Sequence, residues 1–123
     1  MASVHVTMGD LLRQLERYAE AIAAYDRAIA LYPDESPQQW FIYYARGISQ
    51  GKLDNWDASE ADLRTALRLN PDQPQVLNYL GYSWVDKGLN LNRALDMIQK
   101  AVAASPNDGY IIDSLGWAYY RLG

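Results

Sequence analysis

The sequence predicts an all-α protein built from repeated pairs of helices. Four glycines, Gly9, Gly47, Gly81 and Gly116, recur at intervals of 38, 34 and 35 residues. An alanine follows each of the first three glycines by nineteen or twenty residues, and a proline follows each alanine by five. Between these marks the apolar residues recur three or four positions apart, which is the period of an amphipathic helix. A period shared by three independent residue types indicates an internal structural repeat.

The apolar pattern predicts seven helices. Their expected limits are 3–15, 18–31, 37–51, 55–69, 73–87, 91–104 and 109–122. A proline, which cannot continue a helix, falls just after three of the expected ends: Pro33, Pro71 and Pro106. Ser36 with Gln39, and Asp72 with Gln75, have the spacing of a capping box and so predict two helix starts. No sustained alternation of apolar and polar residues is present, so no strand is expected.

Composition narrows the class of function. The 123 residues carry a net charge of −4, with a pI near 4.8. Nucleic-acid binding relies on Lys and Arg that neutralise phosphates, so an acidic chain is not expected to bind nucleic acid. Cysteine is absent, which excludes disulfides and thiol catalysis. No apolar run approaches the roughly 20 residues of a membrane span, and no signal peptide is visible, so we expect no membrane insertion. The compartment stays unknown: a soluble, cytoplasmic protein is the default, with export of a longer parent left open.

The repeated marks resemble those of the tetratricopeptide repeat (TPR) family. The clearest copy reads LNYLGYSW followed by RALDMIQKAVAASP and matches the family motif at Leu77, Leu80, Gly81, Trp84, Ala94, Ile98, Ala101 and Pro106. The resemblance covers essentially the whole chain, which looks most like a fragment of a bacterial multi-repeat TPR protein. It implies one TPR domain over residues 1–123, with repeats at about 2–35, 36–73 and 74–108 and a half repeat at 109–123.

The family resemblance also implies an architecture. We expect a right-handed α-solenoid of three TPR helix pairs plus one additional C-terminal helix, with the first helices lining a concave groove. Glycine and alanine at the contact points allow close approach of the helices. The second repeat departs from the pattern, since Arg46 and Gln50 replace a Leu and an aromatic residue, and Ser59 replaces the first alanine. The family pattern does not determine how this repeat packs.

The resemblance further implies which side chains face the groove. The family's groove-facing stripe lies three residues before and one, four and five residues after the glycine, a spacing that keeps one helical face. Val85 belongs to this stripe. Tyr110, which sits one turn earlier on the last helix, extends the same surface. The residues that we expect to bind the partner are Tyr44, Ile48, Lys52, Asn78, Tyr82, Asp86, Asp113, Trp117, Tyr120 and Arg121. Aromatic residues with amides and mixed charges are typical of interaction hot spots. The expected function is therefore a non-catalytic scaffold that binds a peptide or protein segment of unknown identity.

One sharper family function is not expected. TPR domains that bind the C-terminal carboxylate of chaperones use Lys, Asn and Arg at fixed positions. The corresponding positions of this chain hold Val6, Asp10, Ala45, Gln75 and Tyr79. None of them matches, so the sequence does not predict a carboxylate clamp.

The last helix suggests an alternative function. Ile112, Leu115 and Tyr119 lie around Gly116 on a face that a following helix would normally cover. The ends of solenoids usually carry polar caps, whereas this end is apolar. We therefore expect the chain to be a fragment of a longer array, and self-association into a homodimer through this face is the alternative to peptide binding.

A catalytic or metal-binding function has less support. The acidic cluster Asp54, Asp57, Glu60 and Asp62 suggests a carboxylate-based metal or small-ligand site. Acidic residues at the start of a helix more often complement the helix dipole. His5 is the single histidine, and no nucleophile lies in a recognisable catalytic arrangement. We expect no enzyme activity, no metal and no cofactor.

Overall fold

The computed structural model describes residues 2–32 and 36–123, and this part of the chain is all-helical. Its helices are α1 (Ala2–Gln14), α2 (Tyr18–Ala30), α3 (Trp40–Lys52), α4 (Trp56–Leu69), α5 (Pro74–Lys87), α6 (Leu91–Ala104) and α7 (Gly109–Leu122). A 3-10 turn over Pro37–Gln39 leads into α3. No strand occurs among these residues, so the predicted fold class is confirmed, and the helix limits agree to within three residues. Pro33, expected to end the second helix, lies outside the described residues.

The helices form two compact units, Met1–Pro71 and Asp72–Gly123. In the first unit α1 packs on α2, α2 on α3, and α3 on α4. In the second unit α5 packs on α6, and α7 contacts both of them. The first helix of each complete repeat thus packs on the second helix of the same repeat. That residues 1–123 form a single domain stays a prediction. Of the helices described, none is both long and apolar enough to cross a membrane.

Glycine allows close approach of the paired helices in all three complete repeats. A Cβ atom added to Gly9 would lie 2.6 Å from the ring of Tyr25, and one added to Gly81 would lie 2.8 Å from Cγ1 of Ile98. At Gly47 the nearest atom would be a backbone oxygen of α4, at 3.2 Å. Real Cβ atoms essentially never lie within 3.0 Å of another heavy atom. The glycines of the repeat therefore lie at helix–helix contacts, as the TPR pattern predicts.

Each unit buries a core of small and large apolar side chains around these contacts. The core of the first unit consists of Ala21, Tyr25, Ala28, Ile42 and Ala45, against which Val6, Leu12, Ile29 and Phe41 pack. In the second unit the largest fully buried side chains are those of Trp84, Leu80, Ile98, Val76 and Val85. Alanines at the helix crossings leave room for the aromatic rings, which fill the space between the helices.

The second repeat contains an ion pair where the family has an apolar contact. The guanidinium of Arg46 donates from Nε to Oδ2 of Asp62 at 2.7 Å and from Nη2 to Oδ1 at 2.8 Å. A third hydrogen bond runs from Nη1 of Arg46 to Oδ1 of Asp26, at 2.8 Å. The hydrogen bonds to Asp62 raise the pKa of Arg46 despite its partial burial. Because Asp62 is 6 % exposed, its carboxylate depends on Arg46 for compensation.

The other two departures in this repeat also form hydrogen bonds between α3 and α4, and Gln50 shares Asp62 with Arg46. Ser59 is fully buried, and its hydroxyl donates to the carbonyl of Gly47 at 2.7 Å. With its amide nitrogen turned toward α4, Gln50 donates to Oδ2 of Asp62 and to the carbonyl of Ala58, each at 2.9 Å. Each residue that breaks the family pattern therefore has a hydrogen-bond partner, and these bonds connect α3 to α4.

Two helix starts differ from the sequence prediction. Oε1 of Gln39 accepts a hydrogen bond from the N–H of Ser36 at 3.3 Å, so the predicted capping box forms, but it starts the 3-10 turn rather than α3. In the other case the N-cap of α5 is Gln73, whose side chain accepts from the N–H of Gln75 at 3.1 Å. The predicted N-cap, Asp72, lies one residue too early. Its backbone has a φ of 64° and belongs to the turn before α5.

The glycine contacts predict opposite effects of two matched substitutions. Gly81→Ala should lower the free energy of unfolding by about 1–3 kcal/mol, because the new methyl group meets Ile98 and the carbonyl of Ala94. Gly116→Ala should raise it by about 0.5–1 kcal/mol, because nothing lies within 4 Å and alanine favours the helix. Urea denaturation followed by circular dichroism measures both. Equal effects of the two substitutions would contradict the role of Gly81 as a contact residue.

The ion pair of the second repeat predicts non-additive effects. Arg46→Leu should destabilise the protein by about 3 kcal/mol, because it leaves the carboxylate of Asp62 buried without its cation. The double variant Arg46→Leu, Asp62→Leu should recover most of that loss, because both charges are then removed together. Urea denaturation of both variants and of Asp62→Leu alone completes the double-mutant cycle. Additive losses would show that Arg46 and Asp62 do not depend on each other.

Candidate functional site

The groove-facing positions of α5 and α7 line one pocket in the second unit. Its volume is about 540 Å³, within the range of roughly 300–1,000 Å³ that ligand pockets occupy. Helix α5 contributes Asn78, Tyr79 and Tyr82. Helix α7 contributes Tyr110, Asp113, Ser114 and Trp117. We call this the α5–α7 pocket, and it brings together four residues of the predicted binding surface: Asn78, Tyr82, Asp113 and Trp117.

The lining of the α5–α7 pocket follows the sequence repeat. Both helices contribute the residues three before, two before and one after their glycines, Gly81 and Gly116. The positions two before the glycine, Tyr79 and Ser114, were missed by the sequence analysis. Each of them lies three residues before the predicted contact at Tyr82 or Trp117, a spacing that places both side chains on one helical face. The helical period therefore contained the signal that locates them.

Four aromatic side chains form much of the wall of the α5–α7 pocket, namely those of Tyr79, Tyr82, Tyr110 and Trp117. Tyr82 is 43 % exposed and Tyr110 is 85 % exposed, so these rings do not serve the core. Trp117 is half-buried and is held by its own helix. The ring of Tyr120 stacks on it with centroids 5.5 Å apart, and the guanidinium of Arg121 lies 5.8 Å from the indole ring centre. The pocket thus has an aromatic wall whose tryptophan is positioned before any ligand arrives.

Two buried polar atoms in this wall lack partners. Within the described part of the chain, neither Oδ1 of Asn78 nor Nε1 of Trp117 makes a hydrogen bond, although both atoms are inaccessible to solvent. An unpaired buried polar group costs about 1–3 kcal/mol, so few such atoms occur in folded proteins. One of the two is an acceptor and the other is a donor. Both belong to residues that line the α5–α7 pocket, so a ligand there satisfies them once their side chains turn toward it.

The remaining predicted residues of the second unit have different positions. Asp86, Tyr120 and Arg121 are exposed on the same two helices, but they do not line the α5–α7 pocket. Val85, expected on the groove-facing stripe, is 1 % exposed and belongs to the core. The prediction for Val85 is wrong because a position four residues after the glycine of α5 turns toward α6.

In the first unit the predicted groove residues lie on α3. Ile48 is half-buried and Lys52 is exposed. The ring of Tyr44 packs near Trp40 and Phe41, with centroids 5.9 Å and 6.1 Å apart, so it forms part of an aromatic cluster at the start of α3. These residues stay a predicted binding surface of the first unit.

The polar residues of α1 are used within the first unit. The hydroxyl of Tyr25 donates to Oδ1 of Asp10 at 2.6 Å and accepts from Nε of Arg13 at 3.1 Å. Burial, reinforced by the hydrogen bond to Asp10, raises the pKa of the Tyr25 hydroxyl. Asp10 stands where a carboxylate clamp would need an Asn, and here it holds α1 to α2 instead.

The apolar face predicted on α7 is exposed. Ile112 is 45 % and Tyr119 is 51 % exposed, and Leu115 is half-buried. A Cβ atom at Gly116 would meet nothing within 4 Å, in contrast to the other repeat glycines. The hydroxyl of Tyr119 accepts a hydrogen bond from Nε2 of Gln99 at 3.0 Å, so its outer end is tied to α6.

Two carboxylates of the acidic cluster, both on α4, are paired with basic side chains. Asp62 binds Arg46, and Glu60 lies 3.6 Å from Arg64. Across the described residues, no group of three or more His, Asp or Glu side chains is arranged to hold a metal ion. Asp62 therefore contributes to the packing of α3 on α4, and Glu60 to pairing along α4.

Comparison with known proteins points to one family. Residues 2–35 and 44–109 match two family models described as tetratricopeptide repeat. Over 120 residues the chain is 28 % identical to a TPR repeat-containing protein of Pseudomonas aeruginosa, covering 98 % of this chain and 20 % of that protein. Over 117 residues it is 29 % identical to BBSome complex member BBS4 of Bos taurus, covering 93 % of this chain and 22 % of that protein. The chain thus spans about a fifth of the length of these curated relatives.

Solved structures agree with the sequence comparison. The first TPR of Spaghetti (RPAP3), bound to the HSP90 peptide SRMEEVD, matches with a TM-score of 0.85 at 19 % identity, over 98 % of this chain and 92 % of that one. A likeness at this identity shows the fold alone. Since one family model by itself matches more than half of the chain and a second matches its first repeat, the chain belongs to the tetratricopeptide repeat family.

Proposed function

We propose that this chain is a non-catalytic interaction module that binds a peptide segment of a protein partner in the α5–α7 pocket. The observation that carries the proposal is the pairing of an aromatic wall with two unpaired buried polar atoms, Asn78 Oδ1 and Trp117 Nε1. Apolar anchors with a few placed polar groups are what peptide-binding surfaces present. The TPR family is in general a protein-interaction fold without catalytic activity, which supports the same class of function.

The likeness to RPAP3 supports peptide binding but not the same peptide. That domain is bound to the HSP90 peptide SRMEEVD, which ends in a carboxylate next to acidic residues. This chain has no residue set for a carboxylate clamp, and its candidate pocket carries Asp113. We therefore propose a partner segment with chemistry different from that of the HSP90 peptide.

The groove proposal predicts that two aromatic residues are binding hot spots. Peptides are selected from a random display library on the 123-residue chain, and their affinities are measured by isothermal titration calorimetry. Tyr82→Ala and Trp117→Ala should each weaken the selected peptides by about 1–3 kcal/mol with little loss of helicity. Tyr32→Ala, which removes an exposed tyrosine of the first unit, is the matched control and should leave the affinity unchanged.

A core variant separates binding from folding. Trp84 is 1 % exposed, so Trp84→Ala should lower the melting temperature, whereas Tyr82→Ala should not. If Tyr82→Ala unfolds the protein as readily as Trp84→Ala, the assignment of Tyr82 to a binding surface is wrong. Selected peptides that bind both pocket variants with full affinity would contradict the α5–α7 pocket as the site.

A second candidate function is self-association through α7. The observation that favours it is the exposure of Ile112 and Tyr119 around the open Gly116. Apolar side chains of this size contribute about 1.5–3 kcal/mol each when fully buried, so a second copy of the chain could cover them with a net gain. The same face of both copies would then meet about a two-fold axis.

The self-association hypothesis predicts a change of mass with two substitutions. The parent should approach the mass of a dimer as its concentration rises in light scattering, and Leu115→Glu with Tyr119→Glu should keep it monomeric. Val4→Glu, which adds a charge at an exposed apolar residue of α1, is the control and should behave as the parent. A parent that stays monomeric at millimolar concentration would exclude this function.

A further inference from the structure

We propose that the α5–α7 pocket recognises a basic side chain of the bound peptide, with arginine preferred over lysine. This inference rests on the proposed peptide-binding function and adds the chemistry of the residue that the pocket accepts. The observations behind it are the charge of the lining, its aromatic rings and the hydrogen-bonding capacity of its unpaired atoms.

The charge of the lining favours a cation. Among the described residues that line the α5–α7 pocket, Asp113 is the one with a formal charge at neutral pH. The whole chain carries a net charge of −4. An acidic side chain in the pocket would face the Asp113 carboxylate, whereas a basic one would gain it as a counter-charge. The peptide is therefore expected to present a positive group at this point.

The aromatic wall suits a cation as well. Tyr79, Tyr82, Tyr110 and Trp117 all line the α5–α7 pocket, and the faces of such rings attract cations through their quadrupoles. The guanidinium of Arg121 already lies 5.8 Å from the centre of the Trp117 ring, so this indole takes part in one such contact within the chain. A planar guanidinium can also stack on a ring, which the compact ammonium of lysine cannot do.

The unpaired atoms of the pocket favour a basic side chain of the peptide over an acidic one. A guanidinium has five donors and no acceptor, so it can donate to Oδ1 of Asn78 and to the carboxylate of Asp113 together. A carboxylate has acceptors alone and would leave Asn78 Oδ1 unpaired. Nε1 of Trp117 needs an acceptor, and the backbone carbonyl of the same peptide supplies one. Once the side chains of Asn78 and Trp117 turn toward the pocket, an arginine within a peptide can satisfy all three groups.

Arg121 is the residue that opposes this arrangement. It is exposed and lies beside Trp117 without lining the α5–α7 pocket. Its positive charge should weaken the binding of a second cation, although solvent screens the repulsion. Arg121→Gln should therefore strengthen the binding of a basic peptide. If the pocket instead bound an acidic peptide, the same substitution would weaken binding.

The test uses four matched tripeptides as probes. Acetylated and amidated Ala-Arg-Ala, Ala-Lys-Ala, Ala-Gln-Ala and Ala-Glu-Ala are titrated into the ¹⁵N-labelled 123-residue chain. The indole N–H resonances of its four tryptophans are followed by NMR, and the spectrum of Trp117→Phe assigns the one of interest. The arginine probe should shift the Trp117 indole resonance saturably, the lysine probe should do so at higher concentration, and the glutamate probe should not.

Two carboxylate variants supply the control. Asp113→Asn should weaken the arginine probe about fivefold, the upper end of what one exposed ion pair contributes. Asp96→Asn removes an exposed carboxylate that pairs with Lys100 on α6, and it should leave the affinity unchanged. Higher ionic strength should weaken the arginine probe in the parent and have less effect in Asp113→Asn.

Several outcomes would overturn the inference while peptide binding still stands. A glutamine or glutamate probe that shifts the Trp117 indole resonance at lower concentration than the arginine probe would do so. Equal affinity of the arginine probe for the parent and for Asp113→Asn would do so too. Library-selected peptides that need Tyr82 and Trp117 but lack basic residues would show that the pocket binds peptides by other chemistry. A library that yields no binder would instead count against the proposed function itself.

Discussion

The close approach of two helices at a glycine is the contact on which the rest of each repeat depends. A methyl group at Gly81 would lie 2.8 Å from Ile98, so the register of α5 against α6 is set at this point. Once that register is set, the positions three before, two before and one after the glycine lie away from the partner helix. On α5 and α7 these positions line the α5–α7 pocket. In α5 a packing constraint on one side of the helix thus determines which residues line the pocket, whereas the glycine of α7, Gly116, meets no partner among the described residues.

The second repeat adds a polar network to the close approach at its glycine, Gly47. Its α3 presents Arg46 and Gln50 to α4, and Asp62 and Ser59 satisfy these groups or the backbone beside them. Such a network stabilises one arrangement of the helices, because any slip leaves a buried charge unpaired. Apolar packing tolerates small slips more readily. The polar network therefore serves the specificity of the α3–α4 pairing more than the total free energy of unfolding.

Polar groups on the first helices have two different roles. On α1, Asp10 and Arg13 bind the hydroxyl of Tyr25 and are used within the fold. On α5 and α7, Asn78 Oδ1 and Trp117 Nε1 are buried without partners in the described residues. Asp10 and Trp117 occupy the same repeat position, one residue after the glycine, so for this pair the difference lies in what the neighbouring helix offers. Where the fold does not satisfy the group, a ligand can.

The sequence by itself determined the helices, their pairing and the glycine contacts, because the 3.6-residue period and the repeat spacing are properties of the chain alone. It also indicated Asn78, Tyr82, Asp113 and Trp117, because each of them lies three residues before or one residue after a repeat glycine. Only the tertiary structure decided that Val85 is buried and that Arg46 binds Asp62. Both depend on which side chains of another helix come into contact, as Arg46 does with Asp62, 16 residues away, and a period within one helix carries no information about that contact.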